Sequence, residues 1–87
     1  MKYFVYILQS KKDKQFYVGY TTNLKNRIEQ HNSGKVKSTK FRRPLKLVYF
    51  ETGFNIYDAL YREKYLKTSY GKRYIKNRLK NYLLEQI

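Results

Sequence analysis

The 87-residue chain has no cysteine, one proline, one histidine and only six acidic residues. The absence of cysteine excludes disulfide bonds and thiolate metal sites. A single histidine, His31, excludes zinc sites that need several histidine ligands, and six acidic residues argue against a site built from several carboxylates. No apolar run approaches the length of about 20 residues that a membrane span needs, and the first residues form a strand pattern without a signal-peptide cleavage site. We therefore expect a cytoplasmic protein with no membrane partner.

Positive charge dominates the composition, since 20 Lys and Arg stand against 6 Asp and Glu and give a net charge of +14. Such a field attracts polyanions, so nucleic acid is the expected partner. General solubility is the alternative explanation. An anionic membrane is disfavoured because the basic residues are spread along the chain rather than gathered on one amphipathic helix. Hydrophobic residues make up 41% of the chain, and so short a chain fills one core. We expect a single domain over residues 1–87.

The sequence pattern predicts three strands and three helices, from aromatic and β-branched runs and from apolar residues at helical spacing. The basic stretch 35–44 lacks periodicity and ends at the proline, so it is expected to be a loop, and Gly71 is expected to separate the last two helices. The order β-β-α-β-α-α predicts an α+β fold with a small central three-stranded antiparallel sheet flanked by helices. The predicted strands are 3–8, 16–20 and 45–51, and the predicted helices are 24–31, 56–69 and 72–86.

Glu63 lies on the apolar stripe of predicted helix 56–69, four residues after Ala59 and three before Leu66. An inward-pointing carboxylate is costly unless it is paired or binds a cation. Two interpretations remain open: an internal ion pair with Arg62 or a neighbouring lysine, and a ligand for one divalent metal. A metal held by one carboxylate, waters and a substrate phosphate is typical of Mg²⁺.

Four other side chains and one glycine occupy positions that suggest either a structural or a functional role. Arg27 and His31 are four residues apart and share a face of the first helix. An exposed arginine beside a half-buried histidine would be structural, whereas an arginine that grips a phosphate and a histidine that handles protons would be functional. Tyr6 and Tyr17 lie on the two strands of a predicted hairpin and project from one face if an even position pairs with an odd one. Gly19, inside an apolar run, indicates a bulge or a close approach to the backbone.

Taken in order, these positions resemble the GIY-YIG nuclease superfamily. The resemblance is greatest to small single-domain members related to the catalytic module of the bacterial nucleotide-excision-repair incision subunit. It covers essentially the whole chain and departs from the motif at Phe4 and Val5, which replace the first glycine and the isoleucine. The stretches that carry it are FVY (4–6), YVG (17–19), the Arg-x-x-x-His helix, Arg62-Glu63 and STKFRRPLKLVYFE.

The resemblance implies a site that cleaves phosphodiesters. Tyr6 and Tyr17 correspond to the motif tyrosines, which orient or deprotonate the attacking water. Gly19 would leave space beside the scissile phosphate. Arg27 would stabilise charge on the phosphoryl oxygens, and His31 would assist proton transfer near Tyr17.

The remaining implied contacts are to the metal and to the nucleic-acid backbone. Glu63 would hold the single divalent ion, Mg²⁺ or Mn²⁺. The late asparagine of the family, which contacts phosphate, corresponds to Asn77, although helical phase turns Asn77 away from the stripe of Ile75 and Leu79. Basic residues of the loop and of the last helix would follow the backbone. They are Lys35, Lys37, Lys40, Arg42 and Arg43 in the loop, and Lys72, Arg73, Lys76, Arg78 and Lys80 in the helix.

The resulting hypothesis is a metal-dependent endonuclease that hydrolyses phosphodiester bonds in DNA by nicking or structure-specific cleavage, with a role in DNA repair or recombination. Bound to DNA, it would be associated with the nucleoid. The alternative is a catalytically idle nucleic-acid-binding module on the same fold. A structural protein of the ribosome or nucleoid would explain the charge but not the ordered set of residues. The sequence does not decide whether the substrate is DNA or RNA, or which shape it has. It also leaves open whether the protein forms a homodimer and whether a separate protein targets it.

Overall fold

The computed structural model describes residues 1–86 and confirms the predicted α+β fold with an antiparallel three-stranded sheet. The strands are β1 (Tyr3–Ser10), β2 (Phe16–Thr21) and β3 (Leu45–Gly53). The helices are α1 (Leu24–Asn32), α2 (Ile56–Leu66), α3 (Ser69–Arg78) and α4 (Lys80–Leu84), and a 3-10 turn covers Lys40–Arg42. The strand order is β2-β1-β3. The predicted last helix is therefore two helices, and no helix within residues 1–86 is long and apolar enough to span a membrane.

Strand β1 lies in the centre of the sheet and is buried on both faces, which explains its continuous apolar run. Val5 and Ile7 point to the face that packs against α2 and α3. Tyr6 and Leu8 point to the other face, where α1 packs. Each face of the sheet thus has its own apolar cluster. The first includes Ala59, Leu66 and Ile75, and the second includes Leu45, Leu24 and Ile28.

The register of the hairpin places the two motif tyrosines on the same face. Tyr6 pairs with Gly19 and Leu8 pairs with Tyr17 in the antiparallel ladder between β1 and β2. Directly paired residues of an antiparallel sheet project to the same side. The even-with-odd pairing, which was the condition for the two tyrosines to share a face, is therefore present.

The break between α2 and α3 falls at residues 67–68 and not at Gly71, so the prediction that this glycine separates the helices was wrong. Thr68 caps α3, because its hydroxyl oxygen accepts a hydrogen bond from the backbone N–H of Gly71 at 3.2 Å. Gly71 lies buried inside α3. A β-carbon there would overlap the carbonyl oxygen of Tyr65 and the Cα of Leu66. The glycine therefore permits two helices to approach closely rather than ending one of them.

Candidate active site

A buried chain of hydrogen bonds joins Tyr6, His31 and Thr39. The Tyr6 hydroxyl lies 2.8 Å from His31 Nε2, and His31 Nδ1 lies 2.8 Å from Thr39 Oγ1. The three residues are 1%, 0% and 0% exposed, so His31 is fully buried rather than half-buried. The Thr39 hydroxyl donates weakly to the Val36 carbonyl at 3.5 Å. Because the Thr39 hydroxyl uses its own hydrogen in this bond, its oxygen accepts a hydrogen bond from the His31 Nδ1–H. His31 Nε2 then accepts a hydrogen bond from the Tyr6 hydroxyl. This tautomer is assigned from the hydrogen-bond network.

The environment of this pair keeps both side chains neutral at neutral pH. Burial, and then the positive charge of Arg27, lowers the pKa of His31 to about 4. Burial raises the pKa of the Tyr6 hydroxyl, although hydrogen bonding to the Arg27 guanidinium acts in the opposite direction. The resting pair is therefore a phenol that donates to an unprotonated imidazole nitrogen.

Gly19 makes room for the Tyr6 ring. A β-carbon at Gly19 would overlap Cζ and the hydroxyl oxygen of Tyr6. Because Tyr6 is buried, its ring has little freedom to move aside. The close approach that the sequence predicted at Gly19 is made in this structure by an aromatic side chain of the same chain.

Tyr17 lies beside this pair and is half-buried. Its ring centroid is 5.0 Å from that of His31, with the planes at 64°. The centroids of Tyr6 and Tyr17 are 6.5 Å apart. The edge-to-face packing fixes the His31 ring between a strand hairpin and α1, and Tyr17 keeps part of its surface accessible.

Arg27 supplies a positive charge next to the Tyr6 hydroxyl. Its guanidinium Nη1 donates to Gln30 Oε1 at 3.0 Å. None of the ion pairs found among residues 1–86 involves Arg27. The side chain therefore carries a charge that no carboxylate of the described chain neutralises, which suits an anionic ligand.

Glu63 comes to the site from α2. Its Oε2 lies 3.3 Å from Lys67 Nζ, so the ion pair with a neighbouring lysine that the sequence left open is present. Arg62 does not take part, because it binds Glu51 through two hydrogen bonds of 2.7 and 3.0 Å. Glu63 also raises the pKa of the Tyr6 hydroxyl, as a smaller influence than burial and Arg27. Its negative charge is therefore felt at the phenol.

The donor set fits one Mg²⁺ or Mn²⁺ ion bound mainly through oxygen atoms of water and substrate. Within residues 1–86 no group of three or more His, Cys, Asp or Glu side chains is placed to hold a metal. His31 has both ring nitrogens in hydrogen bonds and is not available as a ligand. The Glu63 carboxylate has a side chain that is 20% exposed, and its lysine partner is 56% exposed, so the pair is weak. One carboxylate with open coordination positions is the arrangement that Mg²⁺ uses with phosphates.

The loop before β3 presents its basic residues to solvent while its backbone is fixed. Ser10 Oγ donates to the Arg42 carbonyl at 2.6 Å, and Arg42 Nε pairs with Asp13 at 3.1 Å. Phe41, the residue before Arg42, is 77% exposed, a feature that the sequence analysis did not single out. Asn77 is exposed on α3. The exposed basic residues of the loop are Lys35, Lys37, Lys40 and Arg43, whereas Arg42 is half-buried.

Thr39 is the site residue that the sequence analysis missed. It follows a serine in a basic, aperiodic loop, where a threonine usually only contacts water. Its burial depends on how the loop folds over α1, eight residues away along the chain from His31. The only sequence signal was its position within the STKFRRPLKLVYFE stretch.

Comparison with known proteins identifies the family of this chain. A family model described as the GIY-YIG catalytic domain matches residues 2–81. The UPF0213 protein of Staphylococcus haemolyticus is 48% identical over 68 residues, which are 77% of this chain and 82% of that protein. The UPF0213 protein of Lactococcus lactis is 41% identical over 86 residues, which are 98% of this chain and 82% of that protein.

A solved structure is also similar. The solution NMR structure of the UPF0213 protein BH0048 from Bacillus halodurans superposes with a TM-score of 0.56 at 35% identity. The match covers 88% of this chain and 84% of that one. Since the family model spans nearly all of the described residues, the chain belongs to the GIY-YIG family of nucleases.

Proposed function

We propose that this protein is a divalent-metal-dependent endonuclease that hydrolyses phosphodiester bonds in DNA. The observation that carries the proposal is the buried Tyr6–His31–Thr39 chain beside the uncompensated charge of Arg27. Burying three hydrogen-bonding side chains costs free energy that apolar residues would not cost. A proton-handling pair next to an anion-binding arginine gives that arrangement a chemical use.

In the proposed mechanism, Tyr17 orients the attacking water and Tyr6 takes a proton from it. The Tyr6 hydroxyl proton moves at the same time to His31 Nε2 across the 2.8 Å hydrogen bond. Thr39 keeps its bond to Nδ1–H and so holds the ring in place. The bound phosphodiester brings negative charge, which favours the imidazolium and raises the low pKa of His31 when it is needed. Arg27 donates to the non-bridging oxygens as their charge increases.

Glu63 would hold the metal ion, which when bound would polarise the phosphate and the leaving oxygen. Because its present partner is an exposed lysine, the carboxylate gives up little by binding a cation. Neighbouring acidic side chains do not compete for this role: Glu51 is committed to Arg62 and to the Tyr49 hydroxyl, which donates to it at 2.8 Å.

The basic loop residues and the +14 charge would bind the DNA backbone. One site cuts one strand per encounter, so nicking or structure-specific cleavage is the expected outcome, with a role in repair or recombination. Cutting both strands requires a homodimer, a targeting protein or a second encounter. The protein would act in the cytoplasm, on the nucleoid when bound to DNA.

One observation favours a second candidate, a catalytically idle nucleic-acid-binding module. The pKa of His31 is about 4 and the pKa of Tyr6 is raised, so the resting pair has little basicity. If bound phosphate does not reverse the effect of burial on His31, the site would bind without cleaving.

Cleavage of labelled DNAs and RNAs with Mg²⁺ or Mn²⁺ separates the two candidates. The panel runs from single strand through flap to branched junction, and the variant is Glu63→Gln, which keeps the side-chain shape. Asp58→Asn is the matched control, because it removes an exposed carboxylate from the same helix. We expect cleavage by the wild type and by Asp58→Asn, loss of at least about a hundredfold in Glu63→Gln, and equal DNA binding by all three in fluorescence anisotropy. Binding without cleavage of any substrate would establish the idle module, and full cleavage by Glu63→Gln would remove Glu63 from the mechanism.

A further inference from the structure

A cleft of about 500 Å³ lies at the end of the sheet where β1 and α1 end and β3 begins. We call it the Phe41 cleft. The residues that line it are Lys12, Asn32, Lys40, Phe41, Arg43 and Pro44. Its volume is within the range of roughly 300–1,000 Å³ for pockets that hold small ligands, so a single nucleotide has room in it.

The Phe41 ring is the aromatic surface of this cleft, and it is 77% exposed. A ring this exposed can be covered by a flat ligand without any change in the core. Lys40 Nζ lies 5.5 Å from the centroid of the ring, which is within cation–π distance. Stacking surface and positive charge are therefore offered at one place.

Hydrogen bonds hold the backbone that presents Phe41. Side chains donate to three successive carbonyl groups of the 3-10 turn Lys40–Arg42: Arg43 Nε to the first at 2.8 Å, Lys12 Nζ to the second at 3.2 Å and Ser10 Oγ to the third at 2.6 Å. A group whose backbone is already fixed loses less conformational entropy when it binds a ligand. The turn is therefore organised for binding before any ligand arrives.

The charges around the cleft favour an anion. Lys12, Lys40 and Arg43 are basic, and the described residues that line the cleft include no carboxylate. None of these three takes part in the ion pairs found within residues 1–86. The carboxylate of Asp13, which follows Lys12, is paired with Arg42 at 3.1 Å. An exposed aromatic ring beside unpaired cations is the combination that binds single-stranded nucleic acid, because the ring stacks on a base and the cations hold the backbone.

We propose that the Phe41 cleft binds one unpaired nucleotide, whose base stacks on the Phe41 ring while Lys12, Lys40 and Arg43 hold the adjoining phosphates. The inference rests on the nucleic-acid binding in the proposed function, not on its cleavage step, and it names the class of strand that is bound. Bases within a continuous duplex have neighbours on both faces, so a nucleotide would have to leave the stack before it could enter the cleft. Single strands, flaps and gapped strands are the ligands that use it.

A tryptophan reporter tests the stacking directly. The chain has no tryptophan, so Phe41→Trp introduces one indole, which stacks on bases and whose fluorescence is quenched when it does. Phe54→Trp is the matched control, because Phe54 is 79% exposed and does not line the cleft. The ligands are a single-stranded oligothymidylate, an abasic oligomer of the same length and a long duplex, all added without metal so that no cleavage intervenes.

We expect the oligothymidylate to quench the fluorescence of Phe41→Trp, and the abasic oligomer and the duplex to leave it nearly unchanged. The fluorescence of Phe54→Trp should respond to none of the three. Equal quenching by the oligothymidylate and the abasic oligomer would overturn the base subsite, and so would equal quenching of the two variants. Quenching by the duplex as strong as that by the single strand would overturn the preference for unpaired nucleotides.

Affinities provide a second test that needs no reporter. Phe41→Leu keeps an apolar side chain and removes the aromatic ring, and Phe54→Leu makes the same change outside the cleft. In fluorescence anisotropy with labelled oligomers, we expect Phe41→Leu to weaken oligothymidylate binding about tenfold and to leave binding of the abasic oligomer within about twofold. Phe54→Leu should change neither by more than about twofold. Equal losses for the two oligomers, or in the two variants, would refute stacking on Phe41.

The outcomes separate this inference from the proposed function. If the two oligomers bind equally well and the indole is not quenched, nucleic-acid binding stands and the base subsite fails. If the oligothymidylate quenches the indole but no substrate is cut when metal is added, the subsite stands and the nuclease function fails.

Discussion

Acidification from neutral pH should destabilise the protein through His31. The unfolded histidine takes up a proton near its ordinary pKa of 6.5, whereas the folded one does so only at about 4. The stabilising effect of the neutral ring is thus complete above pH 6.5 and is lost as the pH falls towards 4. At about 1.4 kcal/mol for each pH unit between the two pKa values, the full loss is about 3 kcal/mol. About 2 kcal/mol of it falls between pH 7.5 and 5.

Urea unfolding at constant ionic strength, followed by circular dichroism at several pH values from 7.5 to 5, measures this loss. Asp13 and Glu51 should stay ionised between pH 7.5 and 5. Hydrogen bonding to the Gln15 backbone lowers the pKa of Asp13. Burial raises the pKa of Glu51, but hydrogen bonding to Arg62 outweighs it, so the pKa is lowered overall. His31→Gln is the control, because its unfolding free energy should stay flat over the same window, whatever its absolute value.

Two results would refute the reasoning. One is a wild-type unfolding free energy that changes by less than about 0.5 kcal/mol between pH 7.5 and 5. The other is an equal decline in the wild type and in His31→Gln. If His31→Gln does not fold, an NMR titration of the wild-type imidazole replaces it. An inflection near the ordinary value of 6.5 rather than about 4 would then contradict the burial argument.

Two substitutions, each with a control, test the contact between α2 and α3 and the hydrogen bond from His31 to Thr39. Gly71→Ala should lower the unfolding free energy by about 2 kcal/mol or more, because its methyl group meets backbone atoms of α2. Gly53→Ala, whose methyl group would lie 3.9 Å from the Tyr3 carbonyl oxygen, should change it by less than about 0.5 kcal/mol. Equal effects of the two substitutions would contradict the packing argument. Thr39→Val should cost about 1–3 kcal/mol, because it leaves Nδ1 of His31 buried without a partner. Thr39→Ser should restore most of the lost stability, and a serine variant as unstable as the valine variant would show that the hydroxyl is not the cause.

The sheet was predictable from sequence because its signals are local. Aromatic and β-branched runs identified all three strands, and the short turn between the first two allowed the even-with-odd register that pairs Tyr6 with Gly19. The break between α2 and α3 was not predictable in the same way. Glycine usually interrupts a helix, but Gly71 serves the contact between two helices, and that requirement exists only once they are packed.

In the candidate site, too, the features with a local sequence signal were predictable, and the contacts made only in the folded chain were not. Spacing on one helix drew attention to Arg27 and His31, and a place on an apolar stripe drew attention to Glu63, but only the family resemblance assigned them to a site. The partner of Arg62 was not predictable, because Glu51 belongs to β3 and reaches Arg62 only in the folded chain. Thr39 was missed for the same reason, since its hydrogen bond to His31 depends on the path of a loop without periodic sequence.

The Tyr6–His31–Thr39 chain also makes assembly of the site conditional on complete folding. Its three members come from β1, from α1 and from the loop before β3, so no single hairpin or helix can form it alone. A nascent or partly unfolded chain would still be strongly basic and would still adhere to nucleic acid. It would lack the oriented imidazole, however, and so could not carry out the cleavage proposed above.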